Sequence, residues 1–124
     1  MYRAIIADDS ATIRSIIERT LTRAGIQVLA QAKNGDEALS LFRKQQPNLV
    51  TLDITMPGTD GLKCLEEIKK NNPKTEIIII SALSDQSTAI KAIKMGASTF
   101  IKKPFTEHEL LNHLETLGII EKGE

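Results

Sequence analysis

The side chains that could do chemistry stand where short apolar runs end. Asp8 and Asp9 follow residues 4–7, Asp53 follows residues 49–52, Ser81 follows residues 76–80, and Lys102 and Lys103 follow residues 98–101. Clustered carboxylates repel one another and raise a pKa. A hard divalent cation relieves that repulsion, and Mg²⁺, or Mn²⁺ in its place, prefers oxygen ligands. A cation beside a carboxylate, a lysine and a hydroxyl suits phosphoryl transfer to that carboxylate.

The elements that would position these side chains alternate along the whole chain. The predicted strands are residues 4–7, 26–30, 49–52, 76–80 and 98–101. Between them lie helical patterns: residues 10–24, a helix capped by Asn34 that ends before Pro47, helices around Leu65 and Ile90, and a capping box of Thr106 and Glu109 before the last helix. Strict alternation predicts an α/β fold, a flavodoxin-like doubly wound sheet of five parallel strands with five helices, (βα)5.

Such a sheet decides where the chemistry lies. All parallel strands end at one edge, and ligands bind beyond their carboxyl ends, at the switch in strand order. Taken singly, an Asp pair is a turn or a helix cap, a Ser is a cap, and a Lys pair is a solvated edge. Their joint placement at one edge favours a functional site.

Composition sets the class of protein. The chain has 124 residues, which suits a single domain over 1–124, and 41% of them are hydrophobic. The formal net charge of +0 argues against direct nucleic-acid binding. One cysteine, Cys64, excludes an internal disulfide, and we expect its side chain to be buried or half-buried. The apolar runs are too short to cross a membrane, and no signal peptide stands at the start, so we expect a cytoplasmic protein. We expect His108 and His113 to lie at the surface, without a metal.

The ordered set of motifs resembles the CheY-like receiver family across the whole chain. The matching fragments are Asp8-Asp9, residues 52–58 (LDITMPG), Asp60-Gly61, Ser81-Ala82, Gly96-Ala97, Phe100 and residues 103–105 (KPF). Each fragment is short, but together they are highly specific for a response-regulator receiver domain.

The resemblance implies a role for each matching residue. Asp53 would be the nucleophile toward a phosphohistidine on a histidine kinase. Asp9 and Asp53 would bind Mg²⁺ directly, together with the backbone carbonyl of Thr55, while Asp8 would act largely through bound water. Lys103 would hold a phosphate oxygen. The protein would be a phosphoacceptor switch that catalyses its own phosphotransfer and dephosphorylation, and not a turnover enzyme.

The resemblance also implies a switch and an output. Ser81 would turn toward the phosphate, and Phe100 would then rotate from an exposed to a buried position. The surface of the fourth helix, fifth strand and fifth helix would change, and exposed residues there are expected to include Gln86, Ile90, Lys94 and Lys102. Its partner would be a downstream target, with a flagellar switch protein as one candidate, a phosphorelay or another motility partner as others, and a phosphatase as a further partner.

Some positions depart from the family pattern. Ser81 stands where Thr is frequent, and Phe100 lacks the Tyr hydroxyl of several relatives. Thr55 and Leu83 occupy positions that influence dephosphorylation, and neither offers a carboxylate or amide to orient water, so they leave the phosphoryl lifetime open.

Three alternatives remain. A flavodoxin-like electron carrier would share the fold, but Asp8-Asp9 would repel a flavin phosphate and the chain has no Trp and one Tyr. A phosphohydrolase using an aspartyl-phosphate commonly needs a carboxylate where Thr55 stands. The third alternative is a receiver excised from a larger DNA-binding regulator, kinase or phosphorelay protein, although no helix-turn-helix or basic tail is evident here.

Overall fold

Strands and helices alternate along the chain as the sequence predicts. The computed structural model describes residues 1–82 and 86–121. Its elements are β1 (Arg3–Ala7), α1 (Ala11–Arg23), β2 (Gln27–Ala32), α2 (Gly35–Gln45), β3 (Leu49–Leu52), α3 (Gly61–Asn71), β4 (Glu76–Ser81), α4 (Gln86–Lys94), β5 (Thr99–Lys102) and α5 (Glu107–Thr116). The predicted (βα)5 organisation is confirmed.

The strands form one parallel sheet in the order β2-β1-β3-β4-β5. The chain starts inside the sheet at β1, moves outward to β2, and then crosses back to β3 on the other side of β1. This reversal places the carboxyl ends of β1 and β3 next to each other with helices leaving in opposite directions, which opens a crevice there.

Two apolar layers cover the sheet. One lies beneath α1 and α5 and includes Ile6, Ile17, Leu21, Ile78, Ile80, Leu110 and Leu114. The other lies beneath α2, α3 and α4 and includes Phe42, Val50, Leu52, Leu65, Ile68, Ile77, Ile79 and Ala92. Successive residues of β4 alternate between the layers because strand side chains alternate in direction. This is why its four isoleucines are all buried.

Local signals set the helix boundaries. Ser10 caps α1 by accepting a hydrogen bond from the Ile13 amide, and Asn34 caps α2 in the same way. The capping box of Thr106 and Glu109 at α5 is present as predicted. Gly25, at φ 86°, follows α1 in the left-handed region that glycine adopts without strain.

Some strand ends differ from the predicted ones by one or two residues. β4 includes Ser81 and β5 includes Lys102 because these two residues still pair with each other across the sheet. β2 extends to Ala32, which pairs with Ala7 of β1. Apolar character marks where a strand is buried, whereas backbone pairing continues into the polar residues that carry the chemistry.

Candidate functional site

The carboxyl ends of β1, β3 and β5 converge on one site, which we call the acidic site: Asp8, Asp9, Asp53 and Lys103. Backbone hydrogen bonds extend past the strands and fix these positions. The Asp8 amide donates to Ala32 O at 3.0 Å, the Asp53 amide to Ala7 O at 2.9 Å, and the Lys103 amide to Ser81 O at 2.8 Å. The structure therefore brings these four residues together at one sheet edge, where the sequence analysis expected them.

Lys103 joins two buried carboxylates. Its Nζ lies 2.8 Å from Asp8 Oδ2 and 3.0 Å from Asp53 Oδ2. Asp8 is 1% exposed and Asp53 is 2% exposed. Burial works against charge on Lys103, but its hydrogen bonds to Asp8 and Asp53 and the negative charges of these carboxylates outweigh it, so the pKa of Lys103 lies above its ordinary value. Lys103 is therefore held as a cation.

The same surroundings favour the neutral form of Asp8. Burial is the largest influence and raises its pKa above the ordinary 3.8, although Lys103 and the Ser10 amide both favour the ionised form. The Ser10 amide donates to Asp8 Oδ1 at 2.9 Å. The nearby charge of Asp53 adds to the upward shift. Lys103 thus contacts two carboxyl groups of a cluster of three, and its single positive charge does not offset the charge of all of them.

The oxygens of this site fit a divalent cation. One ligand atom from each of Asp8, Asp9 and Asp53 lies within 4.8 Å of the others. Opposite ligands of Mg²⁺ stand about 4.2 Å apart, since each Mg–O bond is about 2.1 Å, so only a small adjustment is needed. Asp9 is exposed while the other two are buried, which leaves one side open to water and phosphate. An all-oxygen set with excess negative charge suits Mg²⁺ or Mn²⁺.

Thr55 holds the carboxylate of Asp53. Its amide donates to Asp53 Oδ1 at 2.8 Å, and its hydroxyl donates to the same oxygen at 2.6 Å. The two Asp53 oxygens are thereby distinguished, because Oδ1 accepts from Thr55 and Oδ2 from Lys103. Sequence reasoning missed the hydroxyl contact; the signal was the Asp-x-Thr spacing, which permits a local turn closed by the Asp side chain.

The loop after Asp53 is held close to α3. A side chain at Gly61 would bring its Cβ within 2.2 Å of Ile54 Cα, so only glycine fits. Asp60 caps α3 by accepting from the Leu62 amide at 2.9 Å. The Asp60-Gly61 motif thus marks the turn into α3, as predicted, and fixes the peptide units next to Asp53.

The predicted switch residues lie on β4 and β5, the two strands at one side of the sheet. Ser81 is fully buried at the end of β4. Phe100 is half-buried on β5 and packs against the layer beneath α2, α3 and α4. Lys102 is exposed while its neighbour Lys103 turns inward, as strand alternation predicts. Leu83 lies outside the described residues.

Two other sequence expectations have different outcomes. Cys64 is buried, as expected, and burial raises the pKa of its thiol to about 11. His113 was expected at the surface, but it is half-buried and its Nδ1 lies 2.9 Å from Thr99 Oγ1. The expectation was wrong because α5 turns this position toward β5. His108 is exposed.

Comparison with known proteins identifies the family. The sequence model of the response regulator receiver domain family matches residues 4–115 of the chain. The chain belongs to the response regulator receiver domain family. It is 43% identical over 110 residues to the chemotaxis protein CheY of Bacillus subtilis, covering 89% of this chain and 92% of that protein. It is 40% identical over 116 residues to the chemotaxis protein CheY of Thermotoga maritima, covering 94% and 97%.

A solved structure agrees with these relatives. CheY in the CheX–CheY–BeF3–Mg complex from Borrelia burgdorferi superposes with a TM-score of 0.90 at 30% identity, covering 94% of this chain and 89% of that chain. The receiver is a phosphorylation-dependent signalling switch of the two-component type. In the described residues, no helix has the length and apolar character to cross a membrane.

Proposed function

We propose that this receiver is switched by phosphorylation of Asp53 in a Mg²⁺-dependent reaction. The observation that carries the proposal is the Lys103 ammonium shared between Asp8 and Asp53, at 2.8 and 3.0 Å, beside the exposed carboxylate of Asp9. This arrangement supplies a nucleophile, a fixed positive charge and an oxygen-lined place for a cation at one point. Mn²⁺ would serve in place of Mg²⁺.

The proposed step transfers a phosphoryl group from a phosphohistidine of a histidine kinase. An oxygen of Asp53 attacks the phosphorus, so a P–O bond forms while the P–N bond breaks. The electron pair of the broken bond returns to the imidazole nitrogen, which takes up a proton from water. Charge develops on the equatorial phosphoryl oxygens, so catalysis consists of positioning and positive charge.

Each residue of the acidic site has a part in this proposal. Asp9, Asp53 and the Thr55 carbonyl would hold the cation directly, and Asp8 would do so through water. When bound, the cation supplies positive charge to the phosphoryl oxygens. Lys103, already held as a cation by its carboxylate neighbours, would transfer its contact from the Asp53 carboxylate to a phosphoryl oxygen. Hydrolysis of the product by the protein itself would reset the switch, so the chain acts as a phosphoacceptor and not as a turnover enzyme.

Output would pass from Ser81 to Phe100. The new phosphate oxygens offer an acceptor to the Ser81 hydroxyl, and movement of Ser81 would open space into which Phe100 turns. The surface affected is what we call the α4–β5 face, and α5 would border it. This face comprises the exposed residues Gln86, Ile90, Ile93, Lys94 and Lys102. Full burial of a Phe side chain is worth roughly 1.5–3 kcal/mol. Phe100 is already half-buried, so its turn would gain only part of this free energy, and each 1.4 kcal/mol gained would shift a two-state equilibrium about tenfold.

The partners follow from this chemistry. A histidine kinase would supply the phosphoryl group, and because kinases draw on ATP we place the receiver in the cytoplasm. The relatives named as chemotaxis proteins favour a chemotaxis target such as a flagellar switch protein. The structure of CheY in complex with CheX, BeF3 and Mg favours a further protein partner that binds the phosphorylated receiver. We propose a phosphatase as this partner. We treat residues 1–124 as one receiver unit without direct contact to nucleic acid or membrane; a place in a longer regulator or phosphorelay protein is the alternative.

Phosphorylation by acetyl phosphate tests the proposal. With Mg²⁺ present, the intact mass should rise by one phosphoryl group, and chelation of Mg²⁺ should prevent the change. Asp53→Asn should not be labelled. Asp60→Asn is the matched control, because Asp60 is an exposed carboxylate in the same loop and Asn can still cap α3. Undiminished labelling of Asp53→Asn would refute the proposal.

A further inference from the structure

The guanidinium group of Arg14 contacts the backbone of the acidic site. Arg14, in the first turns of α1, extends back toward β1 and donates from Nη1 to the backbone carbonyl of Asp8 at 2.7 Å. Arg14 is half-buried. The family motifs of the sequence do not include Arg14, and in the described part of the chain it donates no hydrogen bond to a carboxylate of the acidic site.

The carbonyl that Arg14 holds belongs to the peptide unit between Asp8 and Asp9. The other polar groups of Asp8 are fixed separately: its amide donates to Ala32 O at 3.0 Å and its Oδ1 accepts from the Ser10 amide at 2.9 Å. Because a peptide unit is planar, fixing its carbonyl fixes the amide of Asp9 as well. Arg14 therefore helps to fix the Cα of Asp9, the point from which its exposed side chain leaves the backbone.

Arg14 is itself held in place from the edge strand. Its Nε donates to Gln31 Oε1 at 3.1 Å, and Gln31 Nε2 donates to Glu18 Oε2 at 2.9 Å. Gln31 lies on β2, and Glu18 lies one turn after Arg14 on α1. The guanidinium is planar, so bonds at Nε and Nη1 fix its orientation in two directions.

We propose that Arg14 is a positioning residue for the cation site: through the Asp8–Asp9 peptide it holds Asp9 ready to bind Mg²⁺. The inference rests on the proposed function, because it assumes that the acidic site binds a cation. Residues that orient metal ligands typically change metal affinity about 10- to 100-fold when they are replaced.

The charge of Arg14 has the opposite effect on a cation. A guanidinium repels Mg²⁺, so its removal would tighten binding if charge were all that mattered. Glu18, linked through the Gln31 amide, offsets part of this charge, and solvent at the half-buried guanidinium screens the rest. We therefore expect positioning to outweigh repulsion.

Titration calorimetry with Mg²⁺ alone separates the two effects. Arg14→Met should weaken binding about tenfold. Gln31→Leu keeps the charge but removes the support at Nε, so it should weaken binding to a lesser degree. Arg14→Lys, which keeps one donor and the charge, should recover part of the loss. Arg19→Met is the matched control, because it removes the same charge from the same helix, but at a position that contacts Glu107 and not the acidic site. The Mg²⁺ affinity of Arg19→Met should equal that of the wild type.

A second measurement distinguishes a positioning role from a general loss of structure. Phosphorylation of Arg14→Met by acetyl phosphate should need about tenfold more Mg²⁺ for half the maximal rate, while the rate at saturating Mg²⁺ stays near that of the wild type. Thermal unfolding with a chelator reports folding separately, and if Arg14→Met does not fold, Gln31→Leu and Arg14→Lys carry the test.

The outcomes separate this inference from the proposed function. If the wild type does not bind Mg²⁺, the proposed function fails. If the wild type binds Mg²⁺ but Arg14→Met binds it equally or more tightly, and Gln31→Leu is unchanged, the positioning role of Arg14 is overturned.

Discussion

The acidic site and the α4–β5 face differ in how fully their side chains are already covered or hydrogen-bonded within the folded chain. In the acidic site, Lys103 contacts two buried carboxylates, and both oxygens of Asp53 accept hydrogen bonds. On α4, Ile90 and Ile93 remain 53% and 45% exposed. Chemistry needs preorganised groups, whereas an apolar surface left in water can gain free energy when a partner covers it. Changes in one region should therefore affect quantities that changes in the other leave alone.

The largest effect is expected from Lys103→Met. Removal of the ammonium leaves two buried carboxylates without a counter-charge, and breaking a buried pair in this way costs about 3–5 kcal/mol. The free energy of unfolding, measured with denaturant in the presence of a chelator, should fall by about that amount. Mg²⁺ should restore part of the loss, because it supplies positive charge to the same carboxylates. The phosphorylated protein should also lose its response at the α4–β5 face.

Lys102→Met is the control for that experiment. Lys102 is the neighbouring residue, but it is exposed on the α4–β5 face, so its replacement should change the free energy of unfolding by no more than about 0.5 kcal/mol. Equal losses in the two variants would show that the ion pairs of Lys103 do not stabilise the site.

A pH-dependent effect of the opposite sign is expected from Asp8→Asn. Burial raises the pKa of Asp8 above 3.8 on folding, so ionised Asp8 destabilises the folded state. This penalty is absent below about pH 3.8, where Asp8 is protonated folded or unfolded, and is complete once pH exceeds its folded pKa. Without metal, Asp8→Asn should therefore raise Tm at neutral pH, at about 3–5 °C per kcal/mol.

The Tm difference between Asp8→Asn and the wild type should shrink as the pH falls toward 3.8. Comparing the two proteins cancels the contribution of Glu107, whose hydrogen bond from Arg19 lowers its pKa and gives the reverse trend. Mg²⁺ affinity should fall in the same variant. A neutral-pH Tm below that of the wild type would show that the pairing of Asp8 with Lys103 outweighs its burial.

A smaller effect is expected from Thr55→Val. This change removes the hydroxyl that donates to Asp53 Oδ1 but keeps the amide bond to the same oxygen. The freed lone pair should make Asp53 a better ligand and nucleophile. A net hydrogen bond is worth about 0.5–1.5 kcal/mol, so the rate of labelling by acetyl phosphate should rise roughly 2- to 12-fold. Thr55→Ser keeps the hydroxyl and should react like the wild type. The same increase in both variants would show that loss of the hydroxyl hydrogen bond is not the cause.

The parts of the molecule that could be predicted from sequence are those set by repeating local patterns. The four isoleucines of β4 indicate a strand covered on both faces, and the alternation of such strands with helices dictates a parallel sheet. Once the sheet is known, Asp8, Asp53 and Lys103 must share an edge. Strand alternation also separates Lys103 from Lys102, because neighbouring strand residues point to opposite faces.

The parts that could not be predicted depend on side-chain torsion angles and on residues distant in sequence. Arg14 contacts Asp8 only because α1 folds back along β1 at a particular angle, and Gln31 joins them from the edge strand. His113 meets Thr99 because α5 packs on β5. Periodicity gives the face of a helix, but it does not give the partner of a polar atom.

The smallest effect on folding and chemistry is expected from Ile93→Ser. The side chain is 45% exposed, and Ile and Ser have similar helix propensities, so the free energy of unfolding should fall by no more than about 1 kcal/mol. Mg²⁺ affinity and the rate of labelling by acetyl phosphate should equal those of the wild type, because Ile93 lies outside the acidic site. The effect should instead appear in signalling, measured as the phosphorylation-dependent response of cells that rely on this protein. Gln45→Ser, at an exposed position of α2, is the control on another surface and should signal normally. If Ile93→Ser folds, is labelled and signals like the wild type, this part of α4 does not contact the output partner. If its labelling by acetyl phosphate falls instead, a change on α4 affects the acidic site, and the two regions are not independent.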